Sequence, residues 1–155
     1  MTVDKNALLI SLSERGRFWK LDFDDLTHPE QVFRAIWELE ADVNNGGFHQ
    51  YFGNSSGDTA FAVVDALETI GAHEMARVVA DAKRVFPGSS PPRDWTEREA
   101  ALDSLSADQE DFLDRLDRAF FAYPDDLTEL LYDYVRRNAE HVSGTADVGI
   151  GGSGR

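Results

Sequence analysis

Glu38, Glu40, Asp42 and His49 stand on either side of a glycine pair, Gly46-Gly47, and are the residues of this chain whose types could do metal or acid–base chemistry together. A histidine with two carboxylates can hold a divalent cation. Helical spacing argues against a common site, because Glu38 and Asp42 share a face while Glu40 points elsewhere. No His-x-x-x-His, His-Glu-x-x-His or Gly-x-Ser-x-Gly pattern occurs. His28, His73 and His141 are scattered at expected helix starts and ends and add no cluster. The expectation is therefore no catalytic residue, no metal and no cofactor. His49 reads as a hydrogen-bonding residue at the edge of an aromatic turn, and a small-ligand or metal-dependent enzyme using that turn is the alternative.

The more abundant chemistry is carboxylate on its own. The chain has 29 acidic and 15 basic residues, a net charge of -14, which repels phosphate backbones and anionic lipid, so neither nucleic acid nor membrane is an expected direct partner. The excess is uneven. Residues 20–60 hold eight acids against two bases, net -6, and residues 96–133 hold twelve against three, net -9. Within the second segment Glu110, Asp114 and Asp117 recur at i, i+4 and i+7, opposite the apolar Phe112, Leu113, Leu116 and Phe120, and Asp111 widens the stripe. Carboxylates so placed stand roughly 5–6 Å apart at Cβ, on the scale of successive phosphates, and repel by a few tenths of a kcal/mol each. Helix stability does not explain them. A solvated face is the plain alternative, and Arg115 and Arg118 partly neutralise it. Further acids cluster at Asp22, Asp24 and Asp25, at Glu38, Glu40 and Asp42, and at Asp125, Asp126 and Glu129. The expected partner-binding set is Glu110, Asp111, Asp114, Asp117, Asp125, Asp126, Glu38 and Asp42.

The elements that must position these groups read as helices throughout. With 42% hydrophobic and 11% aromatic residues, the chain can build a core, and 155 residues suffice for one compact domain. Cysteine is absent, which fits a reducing cytoplasm. The start, Met-Thr-Val-Asp-Lys-Asn, does not read as a secretion signal, and no apolar run approaches the roughly 18 residues of a membrane span. Residues 5–13 form a short helix and residues 18–23 a loop. Thr27 and Glu30 have capping-box spacing and start a helix whose Val32, Phe33, Ile36, Trp37 and Val43 line one face. Gly46 and Gly47, able to take positive φ, end it. Phe48, Tyr51 and Phe52 suit a short buried helix. Asp58 caps a helix to Ile70, and residues 73–86 are its hairpin partner. Pro87-Gly88-Ser89-Ser90-Pro91-Pro92 is the main loop. The pairs Thr96/Glu99 and Ser106/Gln109 open two more helices, and a last one runs from about residue 126 to 141. The expectation is an all-α single domain of six to eight helices. Residues 1–26 are its N-terminal helix and loop, 27–142 its main body, and 143–155 a flexible Gly-rich tail.

The order Trp-x-Leu-Glu-x-x-Val-Asn-Asn-Gly-Gly-Phe-x-Gln-Tyr-Phe-x-Asn, followed by a helix ending Ile70-Gly71-Ala72, resembles the small helical bacterial DNA-mimic proteins. Most of that family is catalogued as a domain of unknown function. Its signature falls here on Asn45, Gly46, Gly47, Phe48, Gln50, Tyr51, Phe52 and Asn54, read as structural: Asn44, Asn45, Gln50 and Asn54 would satisfy backbone groups freed by the helix break. The resemblance implies that carboxylates stand where DNA has phosphates and occupy the basic surface of a DNA-binding protein, such as a transcription factor or nucleoid protein. An immunity-type inhibitor of a basic nuclease toxin would use the same electrostatics, and a high-salt cytoplasm would explain the charge with no partner.

Overall fold

The computed structural model describes residues 2–151. Among them the chain forms eight α-helices, four short 3-10 turns and no strand, as the helical periods require. It groups into two units, residues 1–34 with 126–155, and residues 35–125.

The first unit contains α1 (Lys5–Arg15), the opening turns of α2 (His28–Gly53), α7 (Leu127–Arg137) and the one-turn α8 (Thr145–Val148). Asp4 caps α1 by accepting from Ala7 N at 3.0 Å, and Asp126 caps α7 by accepting from Glu129 N at 3.1 Å. Each takes up one of the donors that a helix start leaves without an internal partner. Leu9, Leu12, Phe18, Phe33, Leu131 and Val135 are buried, with Phe18 stacked on Phe33 at 4.4 Å. The Thr27/Glu30 capping box forms in both directions, at 3.0 and 3.2 Å. Glu30 does more than cap. Fully buried, it receives Arg17 Nη2 at 2.9 Å and Nε at 3.0 Å, and also Ser143 N at 2.9 Å. Burial alone would raise its pKa, but the donors from Arg17, Ser143 and Thr27 prevail and hold it at about 2.

That contact corrects the reading of the last residues. Ser143 to Gly151, expected as a loose tail, hold α8, a Thr145 hydroxyl within bonding distance of the Ala139 and Val142 carbonyls, and an Ile150 that is 1% exposed. Glycine content suggested mobility, but Gly144 and Gly149 instead take the positive φ values of 88° and 84° that bracket this turn. Residues 152–155 of that tail lie outside the described residues.

The second unit holds the remainder of α2, a 3-10 turn (Ser55–Thr59), α3 (Ala60–Thr69), α4 (His73–Lys83), α5 (Trp95–Asp103) and α6 (Ala107–Phe121). Gly71, at φ 89°, closes the α3–α4 hairpin, and α4 packs on α6. Two cap assignments change. Thr96 lies inside α5; Asp94, extended at ψ 125°, is its cap and accepts from Glu97 N. Asp58 precedes Thr59 and the start of α3, and its carboxylate is taken by Arg98 at 2.7 Å. The Ser106/Gln109 box forms as the spacing requires. No helix among the described residues is long and apolar enough to cross a membrane.

Candidate functional site

The helix α2 breaks at the glycine pair and then resumes. Gly46 is at φ -160°, ψ 20° and Gly47 at φ 78°, ψ -175°, so only Gly47 uses the left-handed region, where both were expected there. The break creates a new helix start with no side chain at its own cap. Asp117, from α6, supplies one: its Oδ1 accepts from Phe48 N at 2.8 Å. A Cβ on Gly47 would lie 2.4 Å from Asp117 Oδ2, so the position demands glycine for its φ and for the approach of this carboxylate. Past the break Phe48, Tyr51 and Phe52 are all fully buried. Phe52 meets Phe86 edge-on at 4.9 Å, and Phe48 meets Phe120 edge-on at 5.8 Å.

Gln50 and Asn44, expected to satisfy backbone groups freed by the break, bond side chains instead. Gln50 donates to Asp42 Oδ1 at 3.1 Å. Asn44 donates to the Tyr123 hydroxyl at 2.8 Å, and that hydroxyl donates to Glu40 at 2.6 Å. Burial, with Glu40 reinforcing it against the Asn44 donor, pushes the Tyr123 phenol up to about 12. Tyr123 itself sits at φ 48° just past α6, a place glycine usually fills. Its bonds to Glu40 and Asn44 and its ring contact with Phe120 at 5.6 Å hold it there. Burial and the Glu38 charge raise the Tyr51 phenol far above its ordinary range, so it stays neutral. Asn45 is exposed.

The centre of the segment that follows is Arg98, a residue with no sequence signal. It is fully buried on α5, where its guanidinium donates to the carbonyls of Phe52, Asn54, Pro92 and Arg93 at 2.8–3.0 Å and to the Asp58 carboxylate at 2.7 Å. The five-donor fork of arginine suits such an array of carbonyls. Gly57 is packed against it: a Cβ there would lie 2.8 Å from the Tyr51 carbonyl and 2.9 Å from Arg98 Nε.

The eight expected partner-binding carboxylates separate into two groups. Four are taken up internally and half-buried. Asp117 caps the resumed α2. Asp125 Oδ2 accepts from Met75 N at 2.8 Å, serving the start of α4, whose own cap residue is Ala72. Glu38 accepts from Thr59 at 2.8 Å, and Asp42 from Gln50. Both carboxylates lent from another element serve helix starts that lack a capping residue, Gly47 and Ala72; that lack is the clue the sequence held. Burial raises the Asp117 pKa against the Phe48 donor, and Asp114 adds to the rise. The outward i, i+4, i+7 stripe thus ends at Asp114. Asp126 caps its own helix, while Glu110, Asp111 and Asp114 are exposed. His49 Nε2 lies 3.8 Å from Glu110.

Exposed acids also extend back from α6. Asp94, Glu97, Glu99 and Asp103 on or next to α5, and Asp108 on α6, are all exposed, and the single base between residues 94 and 114 is the buried Arg98. From residue 94 to residue 114 the exposed charges are therefore all acidic. Glu38, Glu40, Asp42 and His49 are directed to Thr59, Tyr123, Gln50 and Glu110 respectively. Among the described residues no group of three His, Cys, Asp or Glu is placed to hold a metal ion. A cavity of about 400 Å³ lies at the end of the resumed helix, lined by Asp42, Gly53, Asn54, Ser55, Ser56 and Trp95. It is displaced from Gly46 and Gly47, beside which a ligand pocket was the open alternative.

No curated protein and no solved structure is significantly similar to the chain. The sequence profile of the DMP19-like proteins, however, matches residues 24–138, a span that contains the Asn-Gly-Gly-Phe break, the aromatic turn, the Arg98 clamp and both lent carboxylate caps. The chain belongs to the DMP19-like protein family.

Proposed function

We propose that this protein is a DNA mimic that docks on the basic surface of a DNA-binding protein, a transcription factor or nucleoid protein, and competes with DNA for it. The observation that carries the reading is the run of exposed carboxylates from Asp94 to Asp114, from which the one intervening base, Arg98, is removed by burial. Family membership supports it, since the family's name marks DNA mimicry. Glu110, Asp111 and Asp114 are the docking core; Asp117, Asp125 and Glu38 act within the fold. The partner's Lys and Arg side chains form charge-assisted hydrogen bonds with the exposed acids, and long-range attraction speeds encounter at low salt. No catalytic role belongs to this reading, and a cytoplasmic location does.

The test is retention of basic proteins from native lysate at low salt, eluted by a salt gradient and identified by mass spectrometry, with DNA then used as competitor. Replacing Glu110, Asp111 and Asp114 together by Gln, Asn and Asn should change the unfolding free energy by only about 0.5 kcal/mol, the range of surface changes, lower the salt needed for elution and flatten the salt dependence of binding. Equal retention by the triple variant would remove these residues from the docking surface. Retention of a nuclease in place of a DNA-binding regulator would reassign the protein as an inhibitor.

A further inference from the structure

We propose that the cavity lined by Asp42, Gly53, Asn54, Ser55, Ser56 and Trp95 is a receptor for one guanidinium group, an arginine side chain inserted by the partner; in its choice of donor it rests on the docking reading above. Its volume of about 400 Å³ falls in the range of open clefts that take small ligands. Its lining offers one carboxylate, an amide and two serine hydroxyls, and none of the six lining residues is basic.

Trp95 is tied by its edge, Nε1 donating to Gly53 O at 2.5 Å, and is still 45% exposed. A large aromatic ring fixed at one edge and open to solvent is suited to stack on a planar cation. Asp42 has one oxygen engaged by Gln50 at 3.1 Å, and an ionised carboxylate accepts at more than one position. Arg98 is wholly buried, bonds the Asn54 carbonyl at 3.0 Å and is paired with Asp58 at 2.7 Å. Its charge is therefore balanced by that carboxylate. Guanidinium fits this combination better than ammonium, because it stacks on an aromatic face while its in-plane donors reach surrounding oxygens.

The experiment uses the isotope-labelled full chain and two probes at matched ionic strength, Nα-acetyl-arginine amide and its neutral isostere Nα-acetyl-citrulline amide. The Trp95 indole signal, assigned with Trp95→Phe, and the amides of Gly53, Ser55 and Ser56 should shift saturably with the arginine probe, with Kd on the order of 1 mM for so small a ligand. Binding of citrulline, and of arginine to Asp42→Asn, should each be about tenfold weaker, the loss of one hydrogen bond to a charged group. The unshifted remainder of the Asp42→Asn spectrum reports that the fold is kept. Absence of a saturable shift, equal response to citrulline, or shifts confined to α6 would overturn the inference. If arginine leaves the cavity unshifted while the chain still retains a basic DNA-binding protein, the cavity assignment fails and the docking reading stands. Saturable arginine shifts with no basic protein retained would uphold the guanidinium site and remove the docking reading.

Discussion

Asp117 is where the fold and the proposed interface make opposite demands, and a substitution series there separates them. As part of an outward acidic stripe, Asp117→Ala should cost nothing in stability. As the cap of the resumed α2, it should cost a charge-assisted hydrogen bond and leave Phe48 N without its acceptor in a half-buried site. Such a loss is about 1.5–3 kcal/mol, offset by a few tenths from relief of repulsion with Asp114 three residues away. The net expectation is about 1–2.5 kcal/mol, or about 2–4 °C in melting temperature per kcal/mol for a chain of this size. Asp117→Asn keeps an acceptor and removes a charge that burial disfavours, so it should match the parent at neutral pH or exceed it. The sign of the pH effect follows from the raised native pKa of Asp117. Above the ordinary carboxylate pKa, the native state holds this proton after the unfolded chain has released it. The parent therefore loses stability relative to Asp117→Asn as pH rises through that window, and the difference levels once both states are ionised. Urea unfolding of parent, Ala and Asn forms between pH 4 and 8 reads all of this. An Asp117→Ala protein as stable as the Asp114→Ala control would refute the cap and return Asp117 to the surface stripe.

Glu30→Gln should destabilise by about 3 kcal/mol, the lower end for breaking a buried ion pair because Arg17 reaches solvent. With the native pKa held at about 2, the parent's advantage should be full above the ordinary glutamate range and shrink as pH falls toward 2; a pH-independent difference between the two unfolding curves would contradict this. Gly47→Val should cost at least about 1 kcal/mol from its φ alone, and more in the parent than in Asp117→Ala, since the Cβ clash is with that carboxylate. A double-mutant cycle measures the coupling, and additive effects would show that the carboxylate does not constrain the glycine.

The helices were legible in the sequence because their signals are local. Apolar residues at helical spacing set the faces of α2, α3 and α4, and the Thr27/Glu30 and Ser106/Gln109 boxes lie within four residues of the donors they serve. The Asn-Gly-Gly-Phe order likewise carried both the break and the family, since a backbone that must take positive φ at Gly47 restricts the residue type at that position itself. What no local signal could decide was the use of each charge. Asp114 and Asp117 look alike along the helix, yet one is exposed and the other lies against a helix start 69 residues away. Arg98 reads as one base among acids, and its burial among four carbonyls depends on where the loop before α5 and the turn after α2 meet. A carboxylate's role is set by which donors surround it in space. The sequence by itself determined the helical framework and the net charge of -14, whereas only tertiary contact decided which of those charges cap helices and which remain on the surface.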